Sequence, residues 1–248
     1  MAKLRAAVLA AGRGVRMGGR GPKSLIPVGD KEPLLYYILR GLEASGVDDV
    51  LVVTGFASAA VQDFVTEHAG SATVSFARNA RYASWGNFHS VHMALDASPG
   101  MDVLVVNSDV VVPPSVYGQT ARATGDLVLA VQPRARLDAE DMRVELVADR
   151  VAAIGKGIKM VRSHAEFCGV SLLRPSGARF YGDIANELEW RATTSLYYED
   201  VYARMLERID ARATIVEPGE YAEVDTPDDL DGAHAVIENL HGAWAAPA

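Results

Sequence analysis

Positions 8–28 read VLAAGRGVRMGGRGPKSLIPV, which crowds Gly12, Gly14, Gly18, Gly19 and Gly21 together with Arg13, Arg16, Arg20 and Lys23 directly behind an apolar run. Glycine lets backbone N–H groups close around an anion, and the cations add charge, so this stretch suits a phosphate. Spacing excludes two common phosphate loops. A Walker A loop needs glycine immediately before Lys23 and Ser24, where Pro22 stands, and a second glycine where Met17 stands. A dinucleotide fingerprint needs G-x-G-x-x-G, whereas Gly12, Gly14 and Gly18 are one residue too widely spaced. What remains is a longer loop whose N–H groups wrap a triphosphate while Arg16 and Lys23 neutralise it.

Such a loop has to be carried by regular elements, and the apolar pattern supplies them. Runs of strand length recur as AAVLA, VLVVTG, TVSFA, DVLVVNSD, DLVLAVQ, RVELVA, CGVSLL and ATIVEP. Helix-period stretches lie between several of them. The clearest is PLLYYILRGLEASG, in which Leu34, Leu35, Ile38, Leu39 and Leu42 form one face, Pro33 suits the first turn and Gly46 the exit. Doubly buried strands alternating with helices predict an α/β fold with a mostly parallel sheet. Residues 132–160 break the rhythm with charge and two short strand candidates joined at Asp149, which predicts a hairpin at the sheet edge. The length fits a single domain over residues 1–248, with 241–248 as a frayed tail.

A formal net charge of −8 argues against nucleic-acid and anionic-membrane partners, because both need a broad positive face. Cys168 is the sole cysteine, so neither an internal disulfide nor a thiolate metal cluster is expected, and a cytoplasmic setting fits. The apolar run 6–11 is too short for a signal sequence or a membrane span.

LAAGRGVRM followed by PKSLIPV resembles the signature of the nucleotidyltransferases that join an NTP to a small phosphorylated acceptor and release pyrophosphate. That resemblance implies a Rossmann-like three-layer α/β/α fold of the nucleotide-diphospho-sugar transferase type. It implies a nucleotide turn made by Leu9, Ala10, Ala11, Gly12, Arg13 and Gly14, with Arg16 and Lys23 on the phosphates. DVLVVNSDVVV resembles the segment whose Asp, here Asp109, holds Mg2+ beside the α-phosphate, with Ser108 in place of the more usual glycine. YAEVDTPDDLDGA resembles the segment that supplies a second metal ligand, here Asp225. Thr226, Asp228 and Asp229 also read as a helix N-cap with an acidic first turn.

The stretch FARNARYASWGNFHSVHMAL is similar to the phosphocholine and phosphonate cytidylyltransferase subgroup through Asn79, Tyr82, Asn87 and Ser90. This implies CTP as donor, with Asn87 and Ser90 near the cytidine. His89 and His92 lie three apart, but no third ligand is in sight, and they read as helix-surface residues. Further on, VAAIGKGIK and SHAEFCGVSLL resemble the acceptor segments of that subgroup, with Lys156 reaching the acceptor phosphate and Glu166 orienting the region. Trp190, Tyr198, Glu199 and Asp200, with Tyr197 among them, complete the expected acceptor site, since aromatics beside carboxylates suit an ammonium. Tyr198, Val201, Tyr202 and Met205 also have the period of an inward helix face. The expected function is therefore a Mg2+-dependent cytidylyltransferase acting, as a monomer or homodimer, on phosphocholine, 2-aminoethylphosphonate or another phosphonate. The alternatives are a sugar-1-phosphate nucleotidyltransferase using another NTP and a non-catalytic nucleotide-binding module.

Overall fold

The structure is a computed structural model that describes residues 2–18, 21–28, 32–134 and 136–240. The predicted tail, 241–248, lies outside the described residues. In chain order the elements are β1 (Leu4–Ala10), α1 (Leu34–Ala44), β2 (Asp49–Thr54), α2 (Ser58–His68), β3 (Thr73–Arg78), α3 (Phe88–Asp96), β4 (Asp102–Asn107) and β5 (Val110–Val111). They continue with α4 (Pro114–Arg122), β6 (Leu127–Pro133), β7 (Arg143–Val147), β8 (Arg150–Ile154), β9 (Ala165–Leu173), α5 (Pro175–Trp190), α6 (Tyr198–Met205), β10 (Ala211–Ile215), β11 (Ala222–Glu223) and α7 (Leu230–Asn239).

Nine strands form one sheet in the order β3-β2-β1-β4-β9-β6-β10-β8-β7. Its first half, β3-β2-β1-β4, is parallel, as the helix-separated apolar runs predict. Beyond β4 the sheet is mixed rather than mostly parallel. β9 enters antiparallel between β4 and β6, because β9 follows a hairpin instead of a crossover helix. That hairpin is β7–β8, turned through Ala148 in the left-handed region, and it curls so that β7 also pairs with the start of β9.

Alternation along the central strands fills both faces. Val103 and Val105 of β4 pack under α3, α5 and α6, while Leu104 and Val106 pack under α1 and α4. α1 begins immediately after Pro33 and buries Leu34, Leu35, Ile38, Leu39 and Leu42, and Gly46 leaves it with positive φ. Among the described residues no helix is long and apolar enough to cross a membrane.

A third, smaller core is what positions the site. Met17 from the glycine loop, Ile26 and Val28 beyond it, Val111 of β5, Val224, and Val236 and Ile237 of α7 pack together. β5 and β11 are antiparallel, with Val110 opposite Glu223 and Val111 opposite Ala222, and the Val224 N–H donates to the Asp109 carbonyl at 2.9 Å. This ladder holds two chain segments more than a hundred positions apart in one register. Met17 is fully buried there. Met17→Ala is expected to cost about 2–5 kcal/mol in urea unfolding, the usual range for emptying a buried methionine site.

Candidate active site

The chain runs from β1 to β2 on one side and returns to β4 on the other, so the crevice between the carboxyl ends of β1 and β4 is a topological switch point. A cleft of about 340 Å³ opens there. Leu9, Ala10, Ala11, Gly12 and Gly14 line one wall, and Asn87 and Ser90, at the start of α3, line another. Arg13 is exposed and does not line the cleft. The backbone of Arg16 forms a short 3-10 turn, and its side chain lies outside the described residues. Gly14 takes φ +57°, and a Cβ there would stand 2.8 Å from the Lys23 Cβ, so glycine at this position lets the turn close on Lys23.

Lys23 reaches the cleft floor. Its Nζ donates to Asp109 Oδ2 at 2.9 Å and to Asp225 Oδ1 at 2.5 Å, with the lysine side chain only 13 % exposed. Burial alone lowers a lysine pKa, but the two aspartates outweigh it and hold the ammonium above its ordinary value. Asp109 follows β4 in the tight turn into β5, and Ser108 Oγ donates to the Leu9 carbonyl at 2.8 Å, tying the end of β4 to that of β1. Asp225 follows β11. Its N–H donates to Asp229 Oδ2 at 2.9 Å, and Thr226 donates to the same oxygen through both N–H and Oγ1. The cap reading of Thr226 and Asp229 and the site reading of Asp225 are thus compatible.

Asp109, Glu223 and Asp225 each present a carboxylate oxygen within 4.8 Å of the other two. Asp109 Oδ1 is buried without a hydrogen-bond partner. An orphaned carboxylate oxygen among three acids is the chemistry of a hard divalent cation, so these residues fit one. Glu223 was not singled out in the sequence, although side chains two apart on a strand share a face and Asp225 was.

A second cavity of about 140 Å³ adjoins the first and shares Asn87, Asn107, Asp109 and Asp225 with it. Lys156, Glu140, Tyr197, Glu199, Tyr221 and Glu223 line the rest. Lys156 therefore faces this chamber, its Nζ donating to Glu140 Oε2 at 3.0 Å. Glu199 is buried with Oε2 unpartnered, and burial pushes its carboxyl up to about 7. Glu166 lies in a neighbouring acidic hollow, paired to Arg134 at 2.8 Å, with burial raising it to about 7 against that pairing.

Besides Glu166, three of the implied acceptor residues are placed elsewhere. Trp190 ends α5 on the surface, 84 % exposed. Asp200 caps α6 by accepting the Tyr197 N–H at 2.8 Å. Tyr198 is wholly buried and has no surface to offer, since Tyr198, Val201, Tyr202 and Met205 make the inward face of α6. It acts on the site indirectly. Its N–H donates to Asn87 Oδ1 and its hydroxyl to Asn107 Oδ1, each at 2.9 Å, leaving the amide NH2 groups of both asparagines to face elsewhere. Asn87 therefore orders the loop before α6 rather than capping α3. Tyr197, one of the aromatics read with the carboxylates, does line the second cavity, and Asn107, two residues before Asp109, is a lining residue that the motifs do not mark. His89 and His92 are likewise not simple surface residues, because Glu189 of α5 meets both.

The MobA-like NTP transferase domain family matches residues 6–175, more than half of the chain, and the chain belongs to that family. The CMP-5'-(3-aminopropyl)phosphonate synthase of Streptomyces rubellomurinus (strain ATCC 31215) is 28% identical over 265 aligned residues, covering 97% of this chain and 41% of that protein. This chain thus spans about two fifths of the length of that relative. The inositol-1-phosphate CTP transferase from T. maritima superposes with a TM-score of 0.80 at 20% identity, covering 96% of this chain and 98% of that one. The CTP:phosphocholine cytidylyltransferase of Streptococcus pneumoniae (LicC) superposes with 0.78 at 19%, covering 95% and 99%. At such identities the two structures establish the shared fold, which agrees with the α/β expectation.

Glu199 makes a stability prediction. Burial holds its carboxyl at about 7 in the folded chain, above the ordinary 4.5, so the folded chain holds more protons than the unfolded one between those values. Stability from this group is accordingly lost as pH rises through that window. In metal-free buffer Glu199→Gln should raise Tm over the parent by about 5 °C at pH 8 and by little at pH 4.5. An equal shift at both pH values would contradict the buried-acid reading.

Proposed function

We propose that this chain transfers a cytidylyl group from CTP to a small acceptor with a phosphonate or phosphate at one end and an ammonium at the other, releasing pyrophosphate. The observation that carries the reading is that Lys23, Asp109 and Asp225 meet at the boundary of two chambers. The first is lined by backbone of a glycine turn and suits the triphosphate. The second combines one cation, Lys156, with Glu140, Glu199 and Glu223, a balance that suits a zwitterion better than a plain anion. The Streptomyces relative and the pneumococcal structure, whose names speak of an aminopropylphosphonate and of phosphocholine, are in keeping with such an acceptor.

Asp109 and Asp225, with Glu223 beside them, would hold the divalent ion, of Mg2+ type. When bound it neutralises charge on the triphosphate and the attacking oxyanion. The residues of the chain do the positioning. N–H groups of the turn orient the β- and γ-phosphates, and Lys23 adds positive charge to them. Lys156 draws the acceptor phosphonate, while Glu199, ionised beside the bound ammonium, fixes the other end. An acceptor oxygen then attacks the α-phosphorus in line. The new P–O bond forms as the bond to the β-phosphate oxygen breaks, and its electrons leave with pyrophosphate. A phosphomonoester is largely dianionic near neutral pH, so no general base is needed. Catalysis rests on alignment and charge neutralisation, by analogy with phosphoryl transfer.

Incubation with Mg2+, CTP and a panel of phosphocholine, 2-aminoethylphosphonate, hydroxyethylphosphonate and sugar 1-phosphates is expected to release pyrophosphate fastest with an amino-bearing acceptor and to yield its CMP adduct by mass. Asp109→Ala should lower kcat/KM at least about a hundredfold with the fold retained. Preferential turnover of sugar 1-phosphates with another NTP would move the assignment to that class. CTP binding with no pyrophosphate from any acceptor would make the chain a binding module.

A further inference from the structure

The first two turns of α3 face two ways. Asn87 and Ser90 line the nucleotide cleft, whereas His89 and His92 meet Glu189, which lies in the last turn of α5. His89 Nδ1 lies 2.6 Å and His92 Nδ1 2.9 Å from the same oxygen, Glu189 Oε1. One ligand atom from each residue falls within 4.8 Å of the other two. His92 is buried, and His89 and Glu189 are half-buried, so the cluster is shielded yet reachable from solvent. Burial raises the Glu189 carboxyl, but the two imidazoles outweigh it and the group is held below its ordinary value, hence ionised. Behind the cluster, His92 Nε2 sits 3.7 Å from Asp96 Oδ2, and the Trp85 ring stands edge-on to His89 with centroids 4.8 Å apart.

The geometry points to a second metal site, in which His89, His92 and Glu189 bind one zinc-class transition ion and tie α3 to α5. It is distinct from the Asp109 and Asp225 pair and does not depend on the acceptor assignment. Two imidazole nitrogens and one carboxylate oxygen form a donor set for Zn2+, Co2+ or Ni2+, whereas Mg2+ and Ca2+ favour all-oxygen sites. The N···O separations need to open by about half an ångström to accept bonds of about 2.0–2.1 Å, and water from the open side completes the shell. A carboxylate behind a ligating imidazole is the usual outer partner of such a ligand, and Asp96 stands in that place. A divalent ion set between the two rings and the Glu189 carboxyl, with the Asp96 carboxyl 3.7 Å from His92 Nε2, would bring positive charge to an acid-flanked cluster. Its role is structural: it fixes the start of the helix that carries Asn87 and Ser90 and, through Asn87, the loop before α6.

Chelator-stripped protein titrated with Zn2+ by calorimetry, and with Co2+ by visible absorption, reads the site directly. The Asp109→Asn, Asp225→Asn double variant, which lacks the acid pair of the cleft, should take up one equivalent, with Co2+ bands of a nitrogen-containing shell. His92→Ala and Glu189→Gln should weaken uptake at least a hundredfold, and Asp96→Asn about tenfold. If His92→Ala does not fold by circular dichroism, His89→Ala, which removes a half-buried ring, gives the same comparison. No stoichiometric Zn2+ uptake by the double variant would overturn the site, as would uptake unchanged in folded His89→Ala or Glu189→Gln. Either result would leave the three residues as a hydrogen-bonded clasp.

Discussion

One ammonium holds two carboxylates that would otherwise repel. Asp109 and Asp225 both reach Lys23 at the floor of a partly shielded cleft, where like charges interact more strongly than in water. The resting chain thus keeps its acids together with an internal cation, and the unpartnered oxygen of Asp109 marks how far that cation falls short of satisfying them. On the proposed reading a divalent ion relieves this arrangement more fully, and Lys23 is then free to turn its charge toward the triphosphate. The same lysine would serve first as placeholder and then as ligand for substrate, and Gly14 supplies the backbone room for it to stand where it does.

Charge alone does not bring residues 23, 109 and 225 together. The β5–β11 ladder and the small core around Met17, Val111 and Val224 do so by burying apolar groups immediately beside the two acids and, with Ile26, three residues from the lysine. Each acid sits one residue from a buried valine, Val110 or Val224. The hydrophobic effect therefore fixes the backbone, and the ionic cluster is carried to the rim of a core that exists for its own reasons. The topological switch between β1 and β4 sets the glycine turn on the same rim. The acceptor chamber is added by the mixed half of the sheet, where β9, the β7–β8 hairpin and α6 supply its walls.

Much of this was legible in the residues. Doubly buried strands, the bounds of α1 and the 143–154 hairpin follow from periodicity and punctuation, and the Lys23, Asp109 and Asp225 set follows from motif resemblance combined with strand ends. What escaped depended on tertiary pairing. Nothing local in AEFCGVSLL says that it runs antiparallel beside β4. Tyr198 and Glu199 are adjacent, yet one is an inward helix residue and the other lines the chamber, because one residue step along a helix rotates the side-chain direction by about 100°. Trp190 shares its neighbours' composition but lies past the last inward position of α5. Glu189 is a hundred positions from His89, so the third partner of the two histidines was invisible until α3 and α5 packed.

The account stands on three distant groups sharing one cation site against the nucleotide turn. A crystal structure with Mn2+ and a non-hydrolysable CTP analogue, phased to show anomalous scattering, examines that directly. The account predicts a Mn2+ peak about 2.1 Å from oxygens of both Asp109 and Asp225, with the Lys23 ammonium moved onto a phosphate oxygen. A nucleotide bound with the Lys23 bridge to both aspartates intact, and the Mn2+ peak away from them, would contradict it.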